Sequence, residues 1–95
     1  LKESSIEARL VRGATRKGWL ALKFVSPGNA GVPDRMLIGP DGHVIFVELK
    51  TESGKLSALQ SAQIARLRKY RQDVRVLYGA KAVDDFLKEV SHSEV

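Results

Sequence analysis

The sequence predicts an α/β domain, a mixed sheet flanked by helices in the element order α-β-β-β-α-β-α. Apolar residues recur at helical spacing in three segments, around residues 4–17, 57–71 and 83–90. Runs rich in β-branched and apolar residues at 19–25, 35–38, 43–50 and 73–78 read as strands. Three of these runs are consecutive, and the fourth follows a helix. Antiparallel neighbours need only a turn between them, whereas a helical crossover brings a strand back parallel, so the combined order implies a mixed sheet.

The first helix opens on Ser4, which with Glu7 has the form of a capping box. Ile6, Leu10, Val11 and Ala14 form its apolar stripe, and Glu7 lies within that stripe with no basic residue at i+4. An inward carboxylate needs a reason. Glu7 is either the helix cap or an acid reaching a metal ion or its water. Gly18 ends the helix. In the strand that follows, Leu20, Leu22 and Phe24 share one face, and Trp19, Ala21, Lys23 and Val25 the other. Lys23 reads as a solvated edge-strand lysine or as a phosphate contact. Residues 26–31 form a polar, glycine-rich loop of the kind that can approach a phosphate backbone closely.

Gly31 and Pro33 make a bend that presents Asp34 at the start of the next strand, with Arg35 alternating away from it as a salt-bridge or backbone-contact residue. Gly39, Pro40, Asp41 and Gly42 form a strong turn signal, so residues 35–38 and 43–50 should pair as a hairpin. After a connector that carries Lys55, Ser57 and Gln60 form a second capping box. Leu56, Gln60, Ile64 and Leu67 lie on one stripe, with Gln63 beside it. Gln60 is thus polar on an inward face, at the helix end with partial positive charge. It is a plain cap, or it orients a water, Lys50 or a phosphate oxygen. Arg66, Arg68, Lys69 and Arg71, with Arg75 just beyond, form the densest basic run, either solvated surface or a DNA-backbone contact. Val83, Phe86, Leu87 and Val90 give the last helix its core stripe, and residues 91–95 are expected to fray.

Ninety-five residues suit a single domain spanning 1–95, with its core at about 4–90. The absence of cysteine excludes disulfides and Cys-ligated zinc, and His43 and His92 are too far apart in sequence to suggest a histidine metal cluster. No long apolar run or signal-peptide pattern occurs, so no membrane association is expected and the expected location is cytoplasmic. A formal charge of +5 suits a polyanionic partner.

The chemistry concentrates at H-V-I-F-V-E-L-K, residues 43–50. Strand alternation puts Glu48 and Lys50 on one face, with Val47 and Leu49 on the other. Charges at the end of an apolar strand are costly unless they are paired or bind a metal. The hairpin returns Glu48 toward Asp34. Two carboxylates suit Mg²⁺, the carbonyl of Leu49 offers another oxygen, and Lys50 offers a positive charge for a phosphoryl transition state. The competing reading is a surface salt bridge between Glu48 and Lys50.

G-V-P-D-R, then F-V-E-L-K, then L-S-A-L-Q resembles the VRR-NUC family of the PD-(D/E)XK nuclease superfamily, in particular its small stand-alone members of viral and bacterial origin. The likeness extends from about Ser5 to Phe86. It implies a restriction-endonuclease-like fold and a Mg²⁺- or Mn²⁺-dependent DNA endonuclease, active in a bacterial or phage-infected cell with no organic cofactor. Asp34, Glu48 and the Leu49 carbonyl would hold the metal, with Glu7 assisting. Lys50 and Gln60 would complete the catalytic set, and Lys23, Arg35, Lys55, Arg66 and Lys69 would contact nucleic acid. The resemblance further implies a homodimer acting on branched DNA such as four-way (Holliday) junctions. Two alternatives remain at this level: a non-catalytic nucleic-acid-binding module on the same fold, and a restriction-type nuclease that reads a sequence.

Overall fold

A computed structural model of the protein describes residues 1–92. Helix α1 (Glu3–Arg16) precedes strands β1 (Leu20–Lys23), β2 (Arg35–Ile38) and β3 (Val44–Lys50). Helix α2 (Ala58–Lys69), strand β4 (Asp73–Tyr78) and helix α3 (Gly79–His92) follow, giving the expected order. The sheet runs β1-β2-β3-β4, antiparallel at the first two junctions and parallel between β3 and β4. Helices α1 and α3 pack together on one face, and α2 lies on the other, against β4.

Strand alternation builds two cores of unequal size. Ile45, Val47 and Leu49 of β3 join Ile6, Leu10, Val83 and Phe86 in the larger one, beneath α1 and α3. Phe46 joins Ile64 and Val74 in the smaller one, beneath α2. Glu48 and Lys50 continue the Phe46 face, so the charged end of β3 points to the α2 side.

Helix α1 begins earlier than Ser4 suggested. Its N-cap is Lys2, in extended conformation with no side-chain cap, so the Ser4–Glu7 capping box does not form. Glu3 instead occupies the first turn, where a negative charge is favourable. Strand β1 is shorter than the run 19–25. Trp19 is buried, while Leu20 and Leu22 are 54% and 41% exposed because α2 sits over the far side of the sheet. Helix α3 continues through residues 91 and 92, and the Ser91 hydroxyl donates to the Leu87 carbonyl at 2.7 Å. Fraying therefore does not begin at 91; residues 93–95 of the expected tail lie outside the described residues.

The hairpin forms where the turn signal placed it. Gly39 N–H donates to the His43 carbonyl at 2.8 Å, and Gly42 adopts φ 89°. Its register pairs Arg35 with Val47. The Phe24 amide donates to the Asp34 carbonyl at 3.0 Å, extending the β1–β2 pairing to the residue that precedes β2.

Gly31 joins the loop before Asp34 to the start of α2. It adopts φ +90°, and a Cβ there would lie 2.8 Å from the Leu59 carbonyl carbon. Gly28 in the same loop adopts φ +82° but faces open space. Alanine at Gly28 is therefore expected to cost only the left-handed backbone penalty, about 1–2 kcal/mol. Gly31→Ala should cost measurably more, because α2 must shift. Urea unfolding of the two variants checks this, and equal losses would show that the loop–helix contact is slack.

Candidate metal centre

The hairpin register carries Asp34 alongside Glu48, one step beyond the Arg35–Val47 pair. The Leu49 amide donates to Asp34 Oδ2 at 2.9 Å, which fixes that carboxylate across the two strands. Glu48 is only 1% exposed. Its Oε2 accepts from Gln60 Nε2 at 3.1 Å and lies 3.8 Å from Lys50 Nζ. Its Oε1 is buried without a hydrogen-bond partner.

A third acid closes the group. Carboxylate oxygens of Glu3, Asp34 and Glu48 lie within 4.8 Å of one another. Burial pushes the Glu48 carboxyl up to about 7, the charge on Asp34 adds to the rise, Lys50 opposes it, and Glu3 raises it further. A buried oxygen with no donor is costly, and so is a set of converging negative charges. A hard divalent cation answers both, and an all-oxygen donor set is the kind that Mg²⁺ or Mn²⁺ accepts. The residues present therefore fit such an ion.

Glu7 is placed differently from the expectation. Its Oε2 accepts from Arg35 Nε at 2.6 Å and Lys23 Nζ at 3.1 Å. Lys23 and Arg35 are cross-strand partners, and Glu7 lies between two cations that would otherwise repel. Burial alone would raise the Glu7 pKa, but the hydrogen bonds and charges of Lys23 and Arg35 together hold it below the ordinary glutamate range. The physical reason is the pleat. Arg35 and Val47 share the α1 face, whereas Glu48 takes the α2 face. Glu3, one turn earlier than Glu7 on α1, is the acid grouped with Asp34 and Glu48 at the strand end. The sequence contained that signal, since Glu3 and Glu7 are spaced i, i+4 on one helical face, but a start at Ser4 left Glu3 outside the helix.

Gln60 forms the expected capping box and also reaches an acid of the cluster. Its Oε1 accepts the Ser57 amide at 2.9 Å and its own amide donates to Ser57 Oγ at 3.1 Å, while Nε2 reaches Glu48. Gln63 donates to the Ala30 carbonyl at 3.2 Å, tying the glycine-rich loop to α2. The basic run divides. Arg68 donates back to the Val74 carbonyl at 2.7 Å. Arg75 lies on the opposite face, paired with Asp73 and Glu89 and over the Phe86 ring at 5.6 Å. Lys55, Arg66 and Lys69 are exposed, and their side chains have no partner among the described residues.

Residues 2–81 match the VRR-NUC domain family. The chain is 46% identical over 67 residues to the protein named "Putative nuclease p44" of Acyrthosiphon pisum secondary endosymbiont phage 1, an alignment that covers 70% of this chain and 72% of that one. Its fold is similar to a solved VRR-NUC domain structure with a TM-score of 0.83 and 28% identity, over 90% of this chain and 94% of the other.

The raised Glu48 pKa has a consequence for stability. Between the ordinary glutamate value of 4.5 and about 7, the folded protein holds a proton that the unfolded chain has released. Unfolding then releases protons, so metal-free stability falls as pH rises through this window and levels off above it. Urea midpoints in EDTA from about pH 5 to about pH 8 should decline for the wild type relative to Glu48→Gln, which stays neutral throughout. Parallel pH profiles for the two proteins would mean that Glu48 titrates normally.

Proposed function

The chain belongs to the VRR-NUC family, a nuclease family, and we propose that it is a metal-dependent endonuclease acting on branched DNA. The observation that carries this reading is Glu48 Oε1, a buried carboxylate oxygen with no protein donor, within a group of three acids. A surface salt bridge to Lys50 does not account for it, because Lys50 is nearer the other oxygen, at 3.8 Å.

Asp34, Glu48 and Glu3 are the side chains that would hold Mg²⁺ or Mn²⁺, with the Leu49 carbonyl as a further oxygen. When bound, such an ion supplies Lewis-acid polarisation of a phosphoryl oxygen. Gln60 holds Glu48 in place through one oxygen and leaves the other available. Lys50, whose side chain is 12% exposed, keeps its ammonium partly shielded from water, where it offsets negative charge developing on the phosphate. Water attacks phosphorus and the sugar oxygen leaves. Glu7 acts as a positioning residue: by binding Lys23 and Arg35 it fixes α1 against the β1–β2 hairpin, and so sets where Glu3 sits.

Lys55, Arg66 and Lys69 are available for the DNA backbone, whereas Lys23 and Arg35 would first have to release Glu7. A two-fold branch such as a four-way junction calls for two symmetric cuts, hence a homodimer. Exposed Leu20, Leu22 and Val25 offer apolar surface for a second copy.

Cleavage of labelled junction, flap and duplex DNA in Mg²⁺, Mn²⁺ or EDTA tests the assignment, with the mass of the active species read by light scattering. Asp34→Asn keeps an oxygen for the Leu49 amide, and Lys50→Ala removes little core volume. Each is expected to lower cleavage by about a hundredfold or more while the folded spectrum is retained. Glu3→Gln should lower cleavage more than Glu7→Gln, whose larger effect should be on stability. No cleavage under any metal and substrate condition would leave only a DNA-binding module.

Metal binding has a readout independent of activity. A cation competes with the proton on Glu48, so added Mg²⁺ should raise the thermal midpoint more at about pH 8 than at about pH 5.5. Asp34→Asn should abolish the difference. An equal Mg²⁺ effect at both values would place binding elsewhere.

A further inference from the structure

We propose that the cleft between residues 24–32 and the side of α2 is a subsite for one unstacked nucleobase of the DNA strand. This inference rests on the DNA-cleaving reading above and specifies what feature of the substrate is recognised. The cleft has a volume of about 280 Å³ and is lined by Phe24, Asn29, Val32, Arg66, Leu67 and Tyr70, among others. Sites for drug-sized ligands run to about 300–1,000 Å³, so this one takes a single heterocycle rather than a base pair.

Its walls suit a flat aromatic guest. Tyr70 caps α2 and is 71% exposed. Phe24 is half-buried and held by Phe46, with ring centroids 5.2 Å apart at 56°, so that wall is fixed before any ligand arrives. The Gln63–Ala30 hydrogen bond fixes the opposing loop. Asn29 donates to Ser26 Oγ at 2.9 Å, which leaves its side-chain oxygen available to a donor on a base edge. Arg66 stands at the rim with no partner among the described residues, positioned for a phosphate or for stacking over the base.

The placement links the cleft to the proposed chemistry. Gln60 touches Glu48, and from Gln60 to Leu67 the helix rises about 10 Å. That distance corresponds to about three nucleotide steps along a stacked strand. A base inside a duplex cannot enter without being unpaired and unstacked, and the cost is least where it is unpaired already. The cleft therefore favours DNA with an unpaired nucleotide near the cut, as occurs at an imperfect branch point, and it does so without reading a sequence, because every base has a stacking face.

The test compares a duplex carrying one unpaired 2-aminopurine with the same duplex fully paired, both binding the protein in EDTA. Wild-type protein is expected to prefer the unpaired form by about tenfold and to change the probe's fluorescence on binding. Tyr70→Ala should lose that preference while binding the paired duplex normally, and Tyr70→Phe should keep it. A wild-type preference that survives Tyr70→Ala unchanged, or no wild-type preference at all, overturns the subsite. Adding Mg²⁺ to the same mixtures reads the nuclease assignment separately. Base preference without cleavage rejects the nuclease reading and keeps the subsite, and cleavage with a Tyr70-independent preference does the reverse.

Discussion

A carboxylate withdrawn from water sits at the end of the strand with a neighbour on each side. Glu48 is 1% exposed, one of its oxygens has no donor, and its pKa rises to about 7. Such a group works against the fold that contains it. The strand carrying it is held by β2 and β4 and by the buried Ile45, Val47 and Leu49. The packing that tolerates Glu48 also aims it: the Leu49 amide fixes Asp34, and the Gln60 amide fixes Glu48. A site that destabilises its own scaffold when empty is poised to gain from a cation.

Alignment of α1 matters as much as the strands. The Glu7–Lys23–Arg35 group joins the helix to the first hairpin by ion pairs of 3.1 and 2.6 Å. Because two cations share one carboxylate, none of the three is free to swing into the acid cluster. The division of labour between Glu3 and Glu7 is then electrostatic: Glu7 is paired with two protein cations, whereas Glu3 is exposed and grouped with two other carboxylates.

Local pattern made much of this legible. Alternation through residues 43–50, the turn at 39–42 and the Ser57–Gln60 box each depend on neighbours in sequence, and each appears as read. What escaped depends on distant parts of the chain. Periodicity places Glu3 and Glu7 on one face without saying which meets the strand end. Lys23 reads as a solvated lysine or a phosphate contact and Arg35 as a salt-bridge or backbone-contact residue, but their common partner, Glu7, lies on another element and no local pattern names it. Arg75 looked continuous with Arg66 and Lys69 until the pleat of β4 sent it to the opposite face. Leu20 and Leu22 have strand-like apolarity, but their burial depends on where α2 lies, which no strand pattern encodes.

The two layers of helix are unequally anchored. Helices α1 and α3 share a large core, whereas α2 buries little besides Ile64. Partial opening of a domain starts where the fewest apolar contacts must be broken, so α2 is expected to detach before α1 and α3. Detachment withdraws Gln60 while leaving Asp34 and Glu48 on an intact sheet. Two of the three acids thus stand on strands and a turn bound to the larger core, while the glutamine that holds Glu48 stands on the helix with the smaller one.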